Sequence, residues 1–189
     1  MIEVHGAWDK GVVIDRHTIS SEFIGNNEHG RAMFDTKRTE IGELVYKLKY
    51  QSDAKVLSRI IEIVKASITG IEAFDVIVPI PPSKTTRSQQ PVDLIANAIG
   101  IAYGVPVINA LSKNSLEEIK SIVDKTERIN KLKQSVTLNG GFDFSNMSIL
   151  IVDDLFDSGS TLSVATELLK ELGHARRICI LAMTKTKNG

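Results

Sequence analysis

The chain has 189 residues, enough for one domain or at most two very small ones. Its 23 basic and 23 acidic side chains cancel to zero net charge, which argues against a disordered tail protein and against a cationic nucleic-acid coat. A single cysteine, Cys179, excludes an intramolecular disulfide and a cysteine-rich zinc site, and no stretch approaches the length of a membrane span.

The start, Met1 to Gly6, lacks a basic n-region followed by an apolar h-region. No secretory signal is visible there, so a cytoplasmic protein is expected. Residues 11–24 are rich in β-branched types and read as one long or two short strands. A turn cluster at 25–30 and a returning strand at 31–35 complete an N-terminal hairpin. From Glu40 the period changes. Ile41, Leu44, Val45 and Leu48 define a short amphipathic helix. Asp53 is placed to cap a second helix with the stripe Leu57, Ile60, Ile61, Val64 and Ile68, ended by Gly70. Residues 74–80 are an apolar run suited to a strand buried on both faces. A polar loop, 81–90, leads to Pro91, which suits the first turn of a helix carrying Leu94, Ile95, Ala98 and Ile99. Residues 105–108 read as a short strand. Residues 112–135 are polar, with six basic and four acidic side chains. Residues 148–153 form another buried strand, 160–172 a helix stopped by Gly173, and 177–183 a final strand. Alternating β and α elements predict an α/β fold, a parallel sheet flanked by helices. The division expected is a small β hood at 1–39 and a core at 40–189.

The stretch Ile149-Leu-Ile-Val-Asp-Asp-Leu-Phe-Asp-Ser-Gly-Ser-Thr-Leu162 carries the chemistry. A buried strand ends in two carboxylates, Asp153 and Asp154, at the sheet edge where open α/β folds place ligands. Asp157, Ser158, Gly159, Ser160 and Thr161 then form a tight loop opening a helix. Loop N–H groups and hydroxyls at a helix N-terminus suit a phosphate monoester. The upstream carboxylates repel that phosphate and suit hydroxyl donors or a metal ion instead. Ribose 5-phosphate satisfies both halves. Either half alone has an ordinary explanation, a solvated acid pair or a simple helix cap. Their order and spacing favour function. A phosphoacceptor receiver domain also has an acidic pair after an apolar strand, but there the pair closes the first strand. Here only 36 residues follow Asp153. Neither a Walker loop nor the Gly-x-Gly-x-x-Gly pattern occurs.

Residues Val152 to Leu162 closely resemble the phosphoribosyl-pyrophosphate (PRPP) signature of type I phosphoribosyltransferases. Within that superfamily the chain is most similar to ComF-type proteins, described as amidophosphoribosyltransferase-like. Leu48-Lys-Tyr50, Asp75 to Pro81, Arg87, and Glu127-Arg128 with Asn130 follow the family's order, so the resemblance spans 40–189. Three features differ. The cysteine zinc module common in ComF proteins cannot be built. Ser-Gln-Gln-Pro91 stands where Gly-Phe-Asn-Gln is usual. Asp157 matches the 6-oxopurine phosphoribosyltransferases better, where an aspartate is proposed to handle the purine's proton.

The resemblance implies an enzyme that displaces pyrophosphate from C1 of PRPP with a nitrogen nucleophile, with Mg²⁺ as cofactor. Asp153 and Asp154 would hold the 2′- and 3′-hydroxyls, and Asp157 to Thr161 the 5-phosphate. Mg²⁺ would be held mainly by PRPP, reaching Asp153 and Asp154 through water. Ser83, Lys84 and Arg87 would receive pyrophosphate. The 112–135 segment would be a flexible lid, with Lys113, Lys120 and Arg128 its test residues. Two further readings stand beside this one. In one the acceptor is a 6-oxopurine, as Asp157 suggests; in the other the protein is a PRPP-sensing regulator or DNA-uptake protein without turnover. The last would need a basic face, for which Lys37, Arg38, Lys47 and Lys49 are the candidates. A nucleic-acid partner is not expected at zero net charge, nor is a membrane. Homodimers are common in the family. His17 and His29 read as incidental, Cys179 as a core residue, and Trp8 and Tyr50 as packing residues that also offer stacking surfaces.

Overall fold

The computed structural model describes residues 1–82, 90–113 and 135–186. In chain order the elements are β1 (Ile2–Val4), β2 (Lys10–Arg16), β3 (Thr18–Asn26), β4 (Ala32–Arg38), α1 (Glu40–Tyr50), α2 (Leu57–Ser67) and β5 (Val76–Pro79). They continue as α3 (Pro91–Tyr103), β6 (Leu111–Lys113), β7 (Val136–Leu138), β8 (Ser148–Phe156), α4 (Ser160–Glu171) and β9 (Arg177–Lys185). Short 3₁₀ turns precede α2 and β5.

The central sheet has the order β1-β2-β9-β8-β5. β2, β9, β8 and β5 run parallel, and β1 is antiparallel at one edge. This is the α/β architecture expected from the alternating pattern. Side chains on successive strand residues face opposite sides of a sheet, and β8 follows that rule from Ile149 to Val152, while Phe156 at its end joins the core of Ile149 and Ile151. Ile149 and Ile151 pack with α4, Phe144 and Ile178. Leu150 and Val152 pack with α1, α2 and α3. Both cores are apolar. That explains why β5, β8 and β9 read as continuous hydrophobic runs.

Helix starts follow local chemistry. Thr39 caps α1, its hydroxyl accepting the Gly42 N–H at 3.1 Å. Asp53 caps the 3₁₀ turn before α2 rather than α2 itself. Pro91 begins α3, where its missing N–H costs nothing.

Several expectations are revised. Residues 10–16 are not half of a peripheral hairpin. They form β2, inside the main sheet beside β9. The hairpin is β3–β4, residues 18–38, so a division at residue 39 cuts across the central sheet. Residues 105–108 make a single bridge, Ile77 to Val107, flanking β5 without becoming a strand. β6 and β7 pair antiparallel and bracket the polar segment, with Lys113 opposite Val136.

Candidate functional site

At the carboxyl ends of β5 and β8 lies a cleft of about 400 Å³. Ile80, Pro81 and Pro82 continue β5 into one wall. Asp153, Asp154 and Leu155 of β8 form its floor, and Lys49 with Tyr50 ends α1 against it. Gln90, Pro91 and Val92 bring the start of α3, Thr161 the start of α4, and Lys113 the end of β6. Two helix N-termini therefore meet the same cavity. Each presents N–H groups without intrahelical acceptors and the positive end of its dipole. Neither helix has a side-chain hydrogen bond at its N-cap.

The loop into α4 is shaped from beneath. Gly159 adopts φ +73°, a left-handed conformation that favours glycine. A β-carbon there would lie 3.0 Å from the Phe156 ring and 3.2 Å from Trp8. Trp8 is buried, meets Phe156 edge-on, and donates its indole N–H to the Val4 carbonyl at 3.0 Å. Gly6 and Gly11 leave room for its ring. The lone tryptophan is thus a prop under the loop and not a stacking surface. Above it, the Ser158 and Ser160 hydroxyls lie 2.9 Å apart. Asp157 is exposed and accepts a hydrogen bond from the Thr186 hydroxyl at 2.9 Å.

The two adjacent aspartates have unlike surroundings. Asp154 follows the face of Leu150 and Val152, toward α1, and is 7% exposed. The Lys49 ammonium donates to its Oδ2 at 2.7 Å. Its backbone carbonyl accepts from the Thr184 hydroxyl at 2.9 Å, which in turn lies 3.2 Å from His17 Nδ1. Burial, with Arg38 and Lys49 nearby, holds the His17 imidazole below its usual range. Asp153, on the other face, is partly buried and accepts the Asp154 N–H at 2.8 Å. Burial first, and the neighbouring Asp154 charge second, push the Asp153 carboxyl up to about 7. A carboxyl in that state gains from hydroxyl donors or a cation arriving in the cleft.

Among the described residues no group of three or more His, Cys, Asp and Glu could hold a metal ion. Among the described residues no helix is long and apolar enough to cross a membrane.

Of the residues singled out in the sequence, Asp153, Asp154, Thr161 and Lys113 line one cleft. Asp157 to Ser160 form the adjoining loop. Ser83, Lys84, Arg87, Lys120 and Arg128 lie outside the described residues. Lys49 was legible only as one cation of a basic patch and one letter of a short motif. Its partner is 105 residues away, and no local spacing announces such a pair.

Residues 98–188 match the model of the phosphoribosyl transferase domain. A ribose-phosphate pyrophosphokinase of Mycoplasma pneumoniae is 35% identical over 87 residues, covering 46% of this chain and 26% of that protein. One of Prochlorococcus marinus is 28% identical over 94 residues, covering 50% and 27%. The chain thus spans about a quarter of the length of these curated relatives. Among solved structures, a glutamine PRPP amidotransferase from B. subtilis aligns with TM-score 0.49 and 17% identity, covering 82% of this chain and 34% of that one. An adenine phosphoribosyltransferase from Thermoanaerobacter pseudethanolicus aligns with TM-score 0.47 and 16% identity, covering 87% and 95%. Residues 98–188, which contain β8, the 157–161 loop and α4, carry the sequence pattern of the phosphoribosyl transferase domain.

Proposed function

We propose that this chain binds PRPP with Mg²⁺ in the β5–β8 cleft and transfers the 5-phosphoribosyl group to a nitrogen nucleophile. The observation that carries the reading is the meeting of Asp153 with two helix N-termini around one cleft of about 400 Å³. That volume falls in the range of small-molecule sites, roughly 300–1,000 Å³. A sugar bearing a phosphate at one end, hydroxyls in the middle and pyrophosphate at C1 matches its layout.

In this reading the 157–161 loop and the start of α4 take the 5-phosphate, and Asp153 accepts ribose hydroxyls. The start of α3 faces the pyrophosphate, aided by Ser83, Lys84 and Arg87 on sequence grounds. The C1–oxygen bond breaks with its electron pair leaving on pyrophosphate, and the C1–nitrogen bond forms as the nucleophile gives up a proton. Positive charge grows on the ribose ring between these events, and a carboxylate fixed beneath it stabilises that charge. Mg²⁺, when bound, neutralises the leaving pyrophosphate. Lys113, Lys120 and Arg128 belong to the proposed covering segment, which would keep water from the activated sugar.

A 6-oxopurine acceptor is favoured by one observation, the exposed Asp157 carboxylate anchored by Thr186 beside the cleft. A nucleic-acid-binding regulator is weakened by two others. Arg38 lies over the Tyr46 ring at 3.8 Å and pairs with Glu43, and Lys49 is committed to Asp154. Pyrophosphate release from Mg²⁺-PRPP, screened against hypoxanthine, guanine, xanthine, orotate and ammonia or glutamine, tests the proposal. Release with one acceptor class supports it, and Asp157→Ala should stop turnover only with a purine. PRPP binding with no release for any acceptor would favour the regulatory reading.

A further inference from the structure

Lys49 lines the cleft, its partner there is fixed by geometry, and the proposed chemistry does not use it. It is on the last turn of α1, 21% exposed, and its ammonium sits 2.7 Å from an Asp154 carboxylate that is 9% exposed. A charge buried to that degree is costly unless paired, and breaking such a pair from one side leaves the other charge stranded. β8 adds a second constraint. Successive side chains face opposite sides of the sheet. Asp153 and Asp154 therefore do not present two equivalent carboxylates to one diol. Asp154 is also fastened through its backbone by Thr184.

We propose that Lys49 is a positioning residue: by holding Asp154 on the α1 face, it leaves Asp153 as the carboxylate that meets the ribose hydroxyls. The acidic pair then works asymmetrically. One member recognises sugar, while the other, with Lys49, ties α1 to the floor of the cleft. Tyr50, the next residue, is brought to the cleft wall by the same anchor. Without the ammonium, two neighbouring carboxylates would compete for one poorly solvated strand end. Asp154, already on the cleft floor, would then compete for the ribose hydroxyls or repel incoming phosphates. This inference rests on the ribose-phosphate reading of the site.

A rival role exists for Lys49, direct contact with pyrophosphate. The two roles differ in which ligand they affect and in how mutations combine. Calorimetric titration with ribose 5-phosphate and with Mg²⁺-PRPP separates them. Lys49→Gln should weaken both ligands by about tenfold or more, since ribose recognition itself is disturbed. Asp154→Asn should weaken ribose 5-phosphate less than Lys49→Gln does. The double variant Lys49→Gln/Asp154→Asn should bind better than Lys49→Gln alone, because the stranded charge is gone. Lys49→Arg should retain most of the affinity. If Lys49→Gln does not fold, the double variant and Lys49→Arg still carry the test. Loss confined to PRPP, or a double variant no better than Lys49→Gln, overturns the proposal. A folded wild type that binds neither sugar phosphate refutes instead the reading on which it rests.

Discussion

Replacing Asp153 by asparagine should stabilise the fold at neutral and alkaline pH while removing sugar-phosphate binding. Burial and the adjacent Asp154 charge raise the Asp153 carboxyl from 3.8 to about 7. Below pH 3.8 both folded and unfolded chains hold the proton, and this group does not influence stability. Between 3.8 and about 7 the folded chain keeps a proton that the unfolded chain releases, so stability falls as pH rises through that window. Above 7 the ionised form carries the whole penalty. At about 1.4 kcal/mol for each pH unit, the interval sets an upper bound of about 4 kcal/mol. Asparagine has nearly the same shape and keeps an oxygen for the Asp154 N–H, so it removes the charge and little else. Urea titrations of both proteins at pH 3.5 and pH 8 measure the difference directly. The variant should match wild type at the low pH and exceed it by a measurable margin, up to that bound, at the high one. Equal stability at pH 8, or a variant less stable there, would refute the claim that Asp153 is held against its ionisation.

Other perturbations probe the loop and its support. Gly159→Ala forces a side chain into a left-handed conformation and against Phe156, and should cost about 1–2 kcal/mol in denaturant titrations and weaken 5-phosphate binding. Trp8→Ala empties a buried site beneath the same loop, and should cost about 3–5 kcal/mol. Because Trp8 is the only tryptophan, its emission should change when ribose 5-phosphate occupies the loop. An unchanged spectrum under saturating ligand would place the phosphate elsewhere. Thr39→Ala removes both the α1 cap and a 2.6 Å hydrogen bond to the Arg16 carbonyl, and should cost about 1 kcal/mol without altering which sugar phosphate binds.

The helices and core strands were legible because their signals are local. Ile41, Val45 and Leu48 mark the buried face of α1, and Ile60 with Val64 mark that of α2. The unbroken apolar runs of β5 and β8 announce strands covered on both sides. What the chain did not announce is partnership across distance. β2 looks like any β-rich segment, and only its parallel register with β9, Lys10 beside Cys179, places it in the sheet. Residues 105–108 have strand composition, yet Pro106 cannot donate an N–H and the segment touches β5 through one bridge. At the site, the Asp153–Asp154 doublet and the glycine loop were readable as a motif. The unlike surroundings of its two members were not, because they depend on strand alternation and on a lysine brought in from α1.

The most direct measurement is calorimetric titration of the folded wild-type chain with PRPP in the presence and absence of Mg²⁺, alongside the Asp153→Asn/Asp154→Asn variant. Saturable binding that requires Mg²⁺ and disappears in the folded variant is the result expected of a ribose-phosphate cleft built on Asp153 and the 157–161 loop. A folded wild type that shows no PRPP binding would contradict it.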